Sequence, residues 1–266
     1  MPVIEKGSVI KNDQISEDIF ELEFLAPAVA REGLPGQFVH IRTALGAEPL
    51  LRRLFSLYDV NKKRGGVALL YKVVGQGTEI MTRLKAGKDY IDVVGPLGKG
   101  FTIAQDADRL LLIGGGVGIA PLVYLARVLK EKGHRLQVLY GAGFRREMAA
   151  LAKLEQLDVD ILPATVDGSV GFKGTVVDLL ERELVDLAAG FIYVCGPEIM
   201  MAKVRQWAEK RGIKGEASLE EQMACGVGAC LGCARQLKPE DEFYIKVCKD
   251  GPVFALEGIE LRAEEV

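Results

Sequence analysis

Histidine is scarce in this chain: His40 and His134 are the only two among 266 residues. No Ser–His pair, zinc set or other hydrolytic constellation can be read from so few, and both are expected to be surface or internally satisfied residues. Excess positive charge is missing too. A formal net charge of −3 gives no basic field to hold nucleic acid or an anionic membrane. The opening Met-Pro-Val-Ile-Glu-Lys lacks the basic start and apolar core of a secretory leader. The longest apolar stretch, Leu110 to Leu129, is broken by Gly114, Gly115, Gly116, Gly118, Pro121 and Arg127, so it reads as strand, turn and helix and not as a membrane span. Repeats and low-complexity tracts are absent. Nothing argues for an oxidising compartment, so free thiols and a cytoplasmic setting are expected.

Against that background the cysteines stand out. Cys225-Gly-Val-Gly-Ala-Cys230-Leu-Gly-Cys233, with Cys248 downstream, is a C-x4-C-x2-C run plus one more thiol, the plant-type spacing for a [2Fe–2S] cluster. Gly226, Gly228 and Gly232 remove bulk and permit the backbone turns that bring N–H groups to an anionic cluster. Four cysteines can also hold zinc, but zinc sites usually come as two short-spaced pairs, and here the last thiol stands alone. The spacing therefore favours a one-electron carrier.

Hydrophobic content of 49% with 27% charged residues is that of a globular chain, and the length exceeds one typical domain. From residue 1 to about 100, short runs such as Ile19–Phe24, Gln37–Ile41, Val67–Val74 and Tyr90–Val94 lie between Gly and Pro corners, which predicts an antiparallel barrel or sandwich with one short helix at Thr78–Leu84. From about 108 to 212 strands alternate with helices. Strands are read at 109–113, 136–140, 160–165 and 191–195, and helices at 121–132, 147–157, 176–183 and 197–210. That alternation predicts a doubly wound parallel sheet. The last 50 or so residues form a cysteine appendage too small for a large core of its own. The expected segments are 1–102, 103–212 and 213–266: an antiparallel β-barrel domain, an α/β parallel-sheet domain and a small cluster subdomain.

Gly114, Gly115, Gly116 and Gly118 follow an apolar strand and open a helix, the context in which backbone can approach a pyrophosphate, although the spacing is not the standard G-x-G-x-x-G. A tight strand–helix turn without ligand is the plainer reading. Cys195-Gly196-Pro197 repeats the strand-to-helix logic, with Cys195 either a core thiol or a residue facing bound nicotinamide. Arg52-Arg53-Leu54-Phe55-Ser56 combines cation, aromatic and hydroxyl, which suit pyrophosphate pairing, ring stacking and a flavin hydrogen bond but also occur in ordinary strands. Thr78, after Gly75-Gln76-Gly77, is a candidate N-cap at an anion-friendly helix start.

Taken in order, Arg53-Leu54-Phe55-Ser56, Gly77-Thr78, the glycine loop, Cys195-Gly196-Pro197 and the cysteine run resemble the ferredoxin–NADP reductase superfamily. More narrowly, Leu219-Glu-Glu-Gln-Met-Ala-Cys225-Gly-Val-Gly-Ala-Cys230 and Val247-Cys248-Lys-Asp-Gly-Pro-Val-Phe254 resemble the electron transfer subunits of class 1B dihydroorotate dehydrogenases, over essentially the whole length. The resemblance implies FAD held by Arg53, Leu54, Phe55 and Ser56, by Leu70, Tyr71 and Lys72, and by Gly77 and Thr78. It implies NAD(H) on the second domain and a [2Fe–2S] cluster on Cys225, Cys230, Cys233 and Cys248. It also implies an FMN-containing catalytic subunit that oxidises dihydroorotate to orotate in pyrimidine biosynthesis, two copies of each subunit, and electrons reaching NAD+ through this chain. Phe55 departs from the tyrosine often found in that flavin motif and has no hydroxyl to offer. Asp167, where NADP-using relatives resemble a Ser-Arg phosphate grip, would repel a 2′-phosphate and favours NAD, with Arg145 and Arg146 as the opposing signal. The same layout serves the small subunit of an NADH-dependent ferredoxin:NADP+ oxidoreductase and reductases that feed oxygenases. The former can carry an acidic cluster ligand, whereas all four positions here are cysteine. A redox sensor with empty nucleotide loops is the non-enzymatic alternative, and a chain that binds flavin excludes it.

Overall fold

A computed structural model describes residues 2–43, 48–105, 107, 109–185, 188, 190–238 and 242–261. Two compact units divide the chain: residues 1–100, 220–235 and 245–252 form the first, and 101–219, 236–244 and 253–266 the second.

In the first unit β1 (Val3–Gln14), β2 (Ile19–Leu25), β3 (Phe38–Arg42), β4 (Arg53–Ser56), β5 (Asp59–Asn61), β6 (Gly66–Lys72) and β7 (Tyr90–Leu97) form one antiparallel sheet in the order β4-β3-β7-β1-β2-β6-β5. Its two end strands, β4 and β5, are separated by only Leu57 and Tyr58, both buried, so the sheet must curl toward closure. The Phe55 ring on β4 sits edge-on to Tyr71 on β6 at 5.9 Å, across that closing seam. The expected barrel is therefore present. Helices α1 (Pro27–Glu32) and α2 (Gln76–Met81) are short. β1 is hard to see in the sequence because it is rich in polar residues and carries a bulge between Val9 and Lys11 that breaks its alternation.

The second unit is the expected parallel sheet. β8 (Arg109–Gly115), β9 (Arg135–Ala142), β10 (Asp160–Thr165), β11 (Phe172–Lys173), β12 (Phe191–Cys195) and β13 (Lys214–Ser218) lie in the order β11-β10-β9-β8-β12-β13. Leu110 to Ile113 of central β8 are at most 1% exposed, as a strand covered on both faces requires. The helices are α3 (Ala120–Glu131), α4 (Leu151–Gln156), α5 (Val176–Glu181) and α6 (Glu198–Glu209). α5 starts with a capping box: Thr175 Oγ1 accepts from Asp178 N at 3.2 Å and Asp178 Oδ2 from Thr175 N at 2.7 Å. Trp207 of α6 donates from Nε1 to Leu180 O at 3.0 Å, which joins the two helices. The helix expected at 147–157 begins only at Leu151, because a 3-10 turn at Arg145–Glu147 precedes it and Glu147 Oε2 accepts from Gly143 N at 2.9 Å.

After β13 the chain forms β14 (Ala234–Arg235) and β15 (Ile245–Lys246), which pair in the first unit, then α7 (Val247–Asp250) and β16 (Val253–Ala255), which pairs antiparallel to β13 in the second. Among the described residues no helix is long and apolar enough to cross a membrane.

Candidate functional site

Parallel β-sheets bind ligands outside the strand C-termini where the strand order reverses. Here the reversal lies between β8, which leads to β9 on one side, and β12 on the other. Gly114 pairs with Cys195 across these strands. A single 3-10 turn at Gly116–Ile119 then leads into α3. A Cβ on Gly118 would lie 2.7 Å from Gly196 Cα, and one on Gly115 would lie 2.8 Å from Pro197 Cδ. The glycine loop and Cys195-Gly196-Pro197, about 80 residues apart in sequence, thus meet backbone to backbone at the switch point. Cys195 is 1% exposed at the end of β12, so the thiol is packed into the sheet end.

Asp167 follows β10 in a turn beside the end of β9. Its Oδ1 accepts from Ser169 Oγ at 2.6 Å and Ser169 N at 2.9 Å, and Ser169 Oγ in turn accepts from Arg145 N at 3.0 Å. The side-chain and backbone hydrogen bonds from Ser169 hold the Asp167 carboxyl below the usual carboxylate range. Arg145 belongs to the same corner, while Arg146 lies over the exposed Phe144 ring at 5.0 Å. Phe144 is an aromatic face that the sequence alone did not mark.

In the first unit the Arg53 guanidinium lies against the first turn of α2: a Cβ on Gly77 would be 2.9 Å from Arg53 Nε. One sequence expectation changes here. The N-cap of α2 is Gly75, and Thr78 is three residues inside; its hydroxyl accepts from Val74 N at 3.0 Å and Gly75 N at 3.2 Å and donates to Gly75 O at 2.9 Å. That hydroxyl serves the helix start itself. Phe55 turns into the barrel, because alternation along β4 puts it on the buried face while Leu54 and Ser56 remain half-buried. Tyr71 is likewise internal, stacked on Phe20 at 5.5 Å with its hydroxyl donating to Asn12 Oδ1 at 3.1 Å. Leu70 is buried on the same strand, and Lys72 pairs with Asp18 at 3.3 Å.

The four cysteines of the run lie together in the first unit, in irregular backbone except for Cys248 in α7. Cys225 Sγ accepts from Ala229 N at 3.3 Å and Cys230 N at 3.4 Å, Cys230 Sγ from Gly232 N at 3.4 Å, and Cys233 Sγ from Cys248 N at 3.5 Å. The thiols also interact with one another, Cys225 with Cys230, and Cys248 with Cys233 and Cys225. Burial opposes ionisation of Cys225, but the N–H groups of Val227, Cys230 and Ala229 and the Cys230 thiol outweigh it and bring the thiol down to about 6. Burial, then the neighbouring Cys233 and Cys225, push Cys248 up to about 12. Crowded thiols with N–H donors aimed at sulfur fit an iron–sulfur cluster, whose cationic core would offset the thiolate charge while the N–H groups stabilise the net negative charge that remains. Among the described residues no three His, Cys, Asp or Glu side chains close on a point that would hold a single metal ion.

The loop is braced from outside. Lys246 Nζ donates to Gly228 O at 3.2 Å, and Arg235 donates to Glu221 Oε1 at 3.2 Å. Glu220 and Glu221 lie in irregular backbone. His134 meets its expectation, with Nδ1 3.2 Å from Ala107 O. His40 does not: it is 1% exposed on β3, its Nε2 has no hydrogen-bond partner, and its ring abuts Gly226.

Three family models match in succession: an oxidoreductase FAD-binding domain over 6–101, an oxidoreductase NAD-binding domain over 112–206, and the iron–sulfur cluster binding domain of dihydroorotate dehydrogenase B over 220–260. A protein of Desulforamulus reducens named "Dihydroorotate dehydrogenase B (NAD(+)), electron transfer subunit" is 41% identical over 255 residues, 96% of this chain and 97% of its own. One of the same name from Geobacillus thermodenitrificans is 39% identical over 94% and 96%. Among solved structures, one of an NADH-dependent reduced ferredoxin-NADP oxidoreductase aligns over 96% of this chain and 89% of its own, at TM-score 0.84 and 31% identity. A ferredoxin reductase of carbazole 1,9a-dioxygenase aligns over 80% and 67% at TM-score 0.66; its 22% identity speaks for the fold alone.

Proposed function

The chain belongs to the family of dihydroorotate dehydrogenase B (NAD(+)) electron transfer subunits, with FAD-binding, NAD-binding and iron–sulfur binding domains, and from that premise we propose how its residues divide the work. Residues 1–102 serve the flavin, 103–212 the nicotinamide nucleotide and 213–266 the cluster. The observation that carries this reading is the coexistence in one chain of a glycine-lined switch point and interacting thiols in a donor-rich loop.

Gly114, Gly115, Gly116 and Gly118 give the pyrophosphate of NAD(H) a bare backbone, and Cys195, Gly196 and Pro197 form the facing wall at the nicotinamide end. Phe144 offers a face to adenine. Asp167, kept ionised by Ser169, accepts from a ribose hydroxyl and disfavours a 2′-phosphate. Arg53 pairs with the FAD pyrophosphate beside Gly77 and Thr78. Leu54 and Ser56 border the flavin ring, Phe55 supports it from within the barrel, and Leu70, Tyr71 and Lys72 contribute mainly backbone. Cys225 and Cys230 hold one iron, and Cys233 and Cys248 the other. When bound, FAD exchanges an electron pair with nicotinamide and single electrons with a one-electron carrier, which is the chemistry the cluster adds.

The proposed partner is an FMN-bearing catalytic subunit that oxidises dihydroorotate to orotate in pyrimidine biosynthesis, in a cytoplasmic heterotetramer of two plus two. The structural likeness to the ferredoxin-NADP oxidoreductase favours a second reading as the small subunit of such an enzyme. The higher identity to the dihydroorotate subunits and the four-cysteine set weigh against it. Coexpression of the tagged chain with its genomic neighbours separates the two. Copurification of an FMN protein and dihydroorotate-dependent NADH formation is the expected result. An FAD- and iron-containing complex that ignores dihydroorotate but couples ferredoxin to NADP+ would favour the second.

A further inference from the structure

We infer that His40 is a positioning residue for the iron–sulfur cluster, packed beneath the ligand loop at Gly226 and donating a hydrogen bond from Nε2–H to a sulfur of the bound cluster. The inference rests on the cluster reading above. His40 lies in the middle of β3, and among the described residues its Nε2 is one of three buried side-chain polar atoms without a hydrogen-bond partner. Native structures pair nearly all such atoms, so an orphan at this place points to a partner that the folded protein acquires. The face of the ring at its Nδ1–Cε1–Nε2 side lies against the ligand loop: a Cβ on Gly226 would stand 2.8 Å from Cε1, 2.9 Å from Nδ1 and 3.1 Å from Nε2. Gly226 is bonded directly to Cys225, so the orphan nitrogen sits one residue from a thiol pair.

The chemistry agrees with the geometry. Burial, and then the Arg52 cation, lower the imidazole to about 4, so at neutral pH the ring is uncharged and holds one N–H to give. Sulfur in this loop already attracts neutral donors, since the Ala229 and Cys230 N–H groups point at Cys225 Sγ. Hydrogen bonds to cluster sulfurs favour the reduced, more negative state and raise the reduction potential. The backbone of His40 also pairs with Leu54 of β4, the strand assigned to the flavin, so one residue lies between the ligand loop and that strand.

The test uses the whole chain purified with its flavin and cluster. Two irons per chain and an S = 1/2 signal on reduction establish the cluster itself; their absence would sink the cluster reading and leave nothing for His40 to contact. With the cluster present, 15N-histidine labelling and pulsed EPR should reveal a histidine nitrogen coupling that survives His134→Asn and disappears in His40→Phe. His40→Phe should also shift the cluster midpoint potential to a more negative value, and His40→Gln, which keeps a donor, should recover most of the shift. A loaded His40→Phe protein with the wild-type potential overturns the inference. If His40→Phe holds no iron, the labelled wild-type spectrum decides alone, and a spectrum without histidine coupling overturns the inference as well.

Discussion

Gly118→Ala is expected to damage nucleotide binding through backbone crowding alone. Gly118 does not occupy the left-handed region, so alanine incurs no torsional penalty there. Its Cβ, however, would lie 2.7 Å from Gly196 Cα, 3.1 Å from Gly196 N and 3.4 Å from the Cys195 carbonyl carbon. Ordinary carbon contacts need about 3.5–4.0 Å, a deficit of roughly 1 Å. No flexible side chain can give way, because Cys195 is fixed by its pairing with Gly114 and Ser218. Overpacking of this kind costs about 1–3 kcal/mol, which lowers the melting temperature by about 2–4 °C per kcal/mol for a unit of this size. The same displacement draws loop N–H groups away from the pyrophosphate. Loss of one such charge-assisted hydrogen bond, worth about 1.5–3 kcal/mol, weakens NADH by about 10- to 150-fold. The assay is anaerobic stopped-flow reduction of the flavin against NADH concentration. Gly133→Ala is the control: Gly133 follows α3 with φ +86° and no atom within 4 Å of its missing Cβ, so it should lower stability with no change in NADH affinity. Wild-type NADH affinity in Gly118→Ala, or equal weakening in Gly133→Ala, would refute the reasoning.

Other expectations follow from the same structure. Gly226→Ala combines φ +68° with contact distances of 2.8–3.1 Å to the His40 ring, so a penalty of about 2–5 kcal/mol should appear as lost iron and labile sulfide with FAD retained; removing the ring as well, in His40→Ala/Gly226→Ala, should restore part of the iron. Arg53→Ala should weaken FAD by about 10- to 150-fold, read by flavin release on dilution, since one charge-assisted pairing is lost. Asp167→Ser should raise the kcat/KM for NADPH relative to NADH by about tenfold, the effect of removing one charge about 4–5 Å from a doubly charged phosphate in water; an unchanged ratio would move nucleotide choice to another corner. Removal of iron by a chelator should raise hydrogen exchange across 220–235 and 245–252 and leave β8 to β10 protected.

What the sequence reveals and what it hides have physical reasons. The cysteine run was legible because ligand spacing is written locally, and the alternation of apolar strands with helices was legible because both faces of β8 and β9 are covered. The meeting of Gly118 with Gly196 was not, because it depends on β12 lying beside β8, a fact of strand order and not of either loop. The contact of Phe55 with Tyr71 was not legible either, because it depends on β-alternation and on the curl that brings β4 back to β6. Thr78 looked like a cap because Gly75, with no side chain to mark it, holds the position. His40 carried no local signal. Its setting comes from Gly226, nearly 190 residues away, and from an apolar strand that gives Nε2 no hydrogen-bond partner.

The most direct test of the central claim, that one chain joins a nicotinamide site to a one-electron exit, is an anaerobic NADH titration of the purified subunit followed by flavin absorbance and EPR. The account predicts bleaching of bound FAD together with an S = 1/2 cluster signal, and loss of that signal but not of the bleaching in Cys225→Ser. Flavin that bleaches while the cluster of the intact subunit stays silent, at potentials where dithionite reduces it, would contradict it.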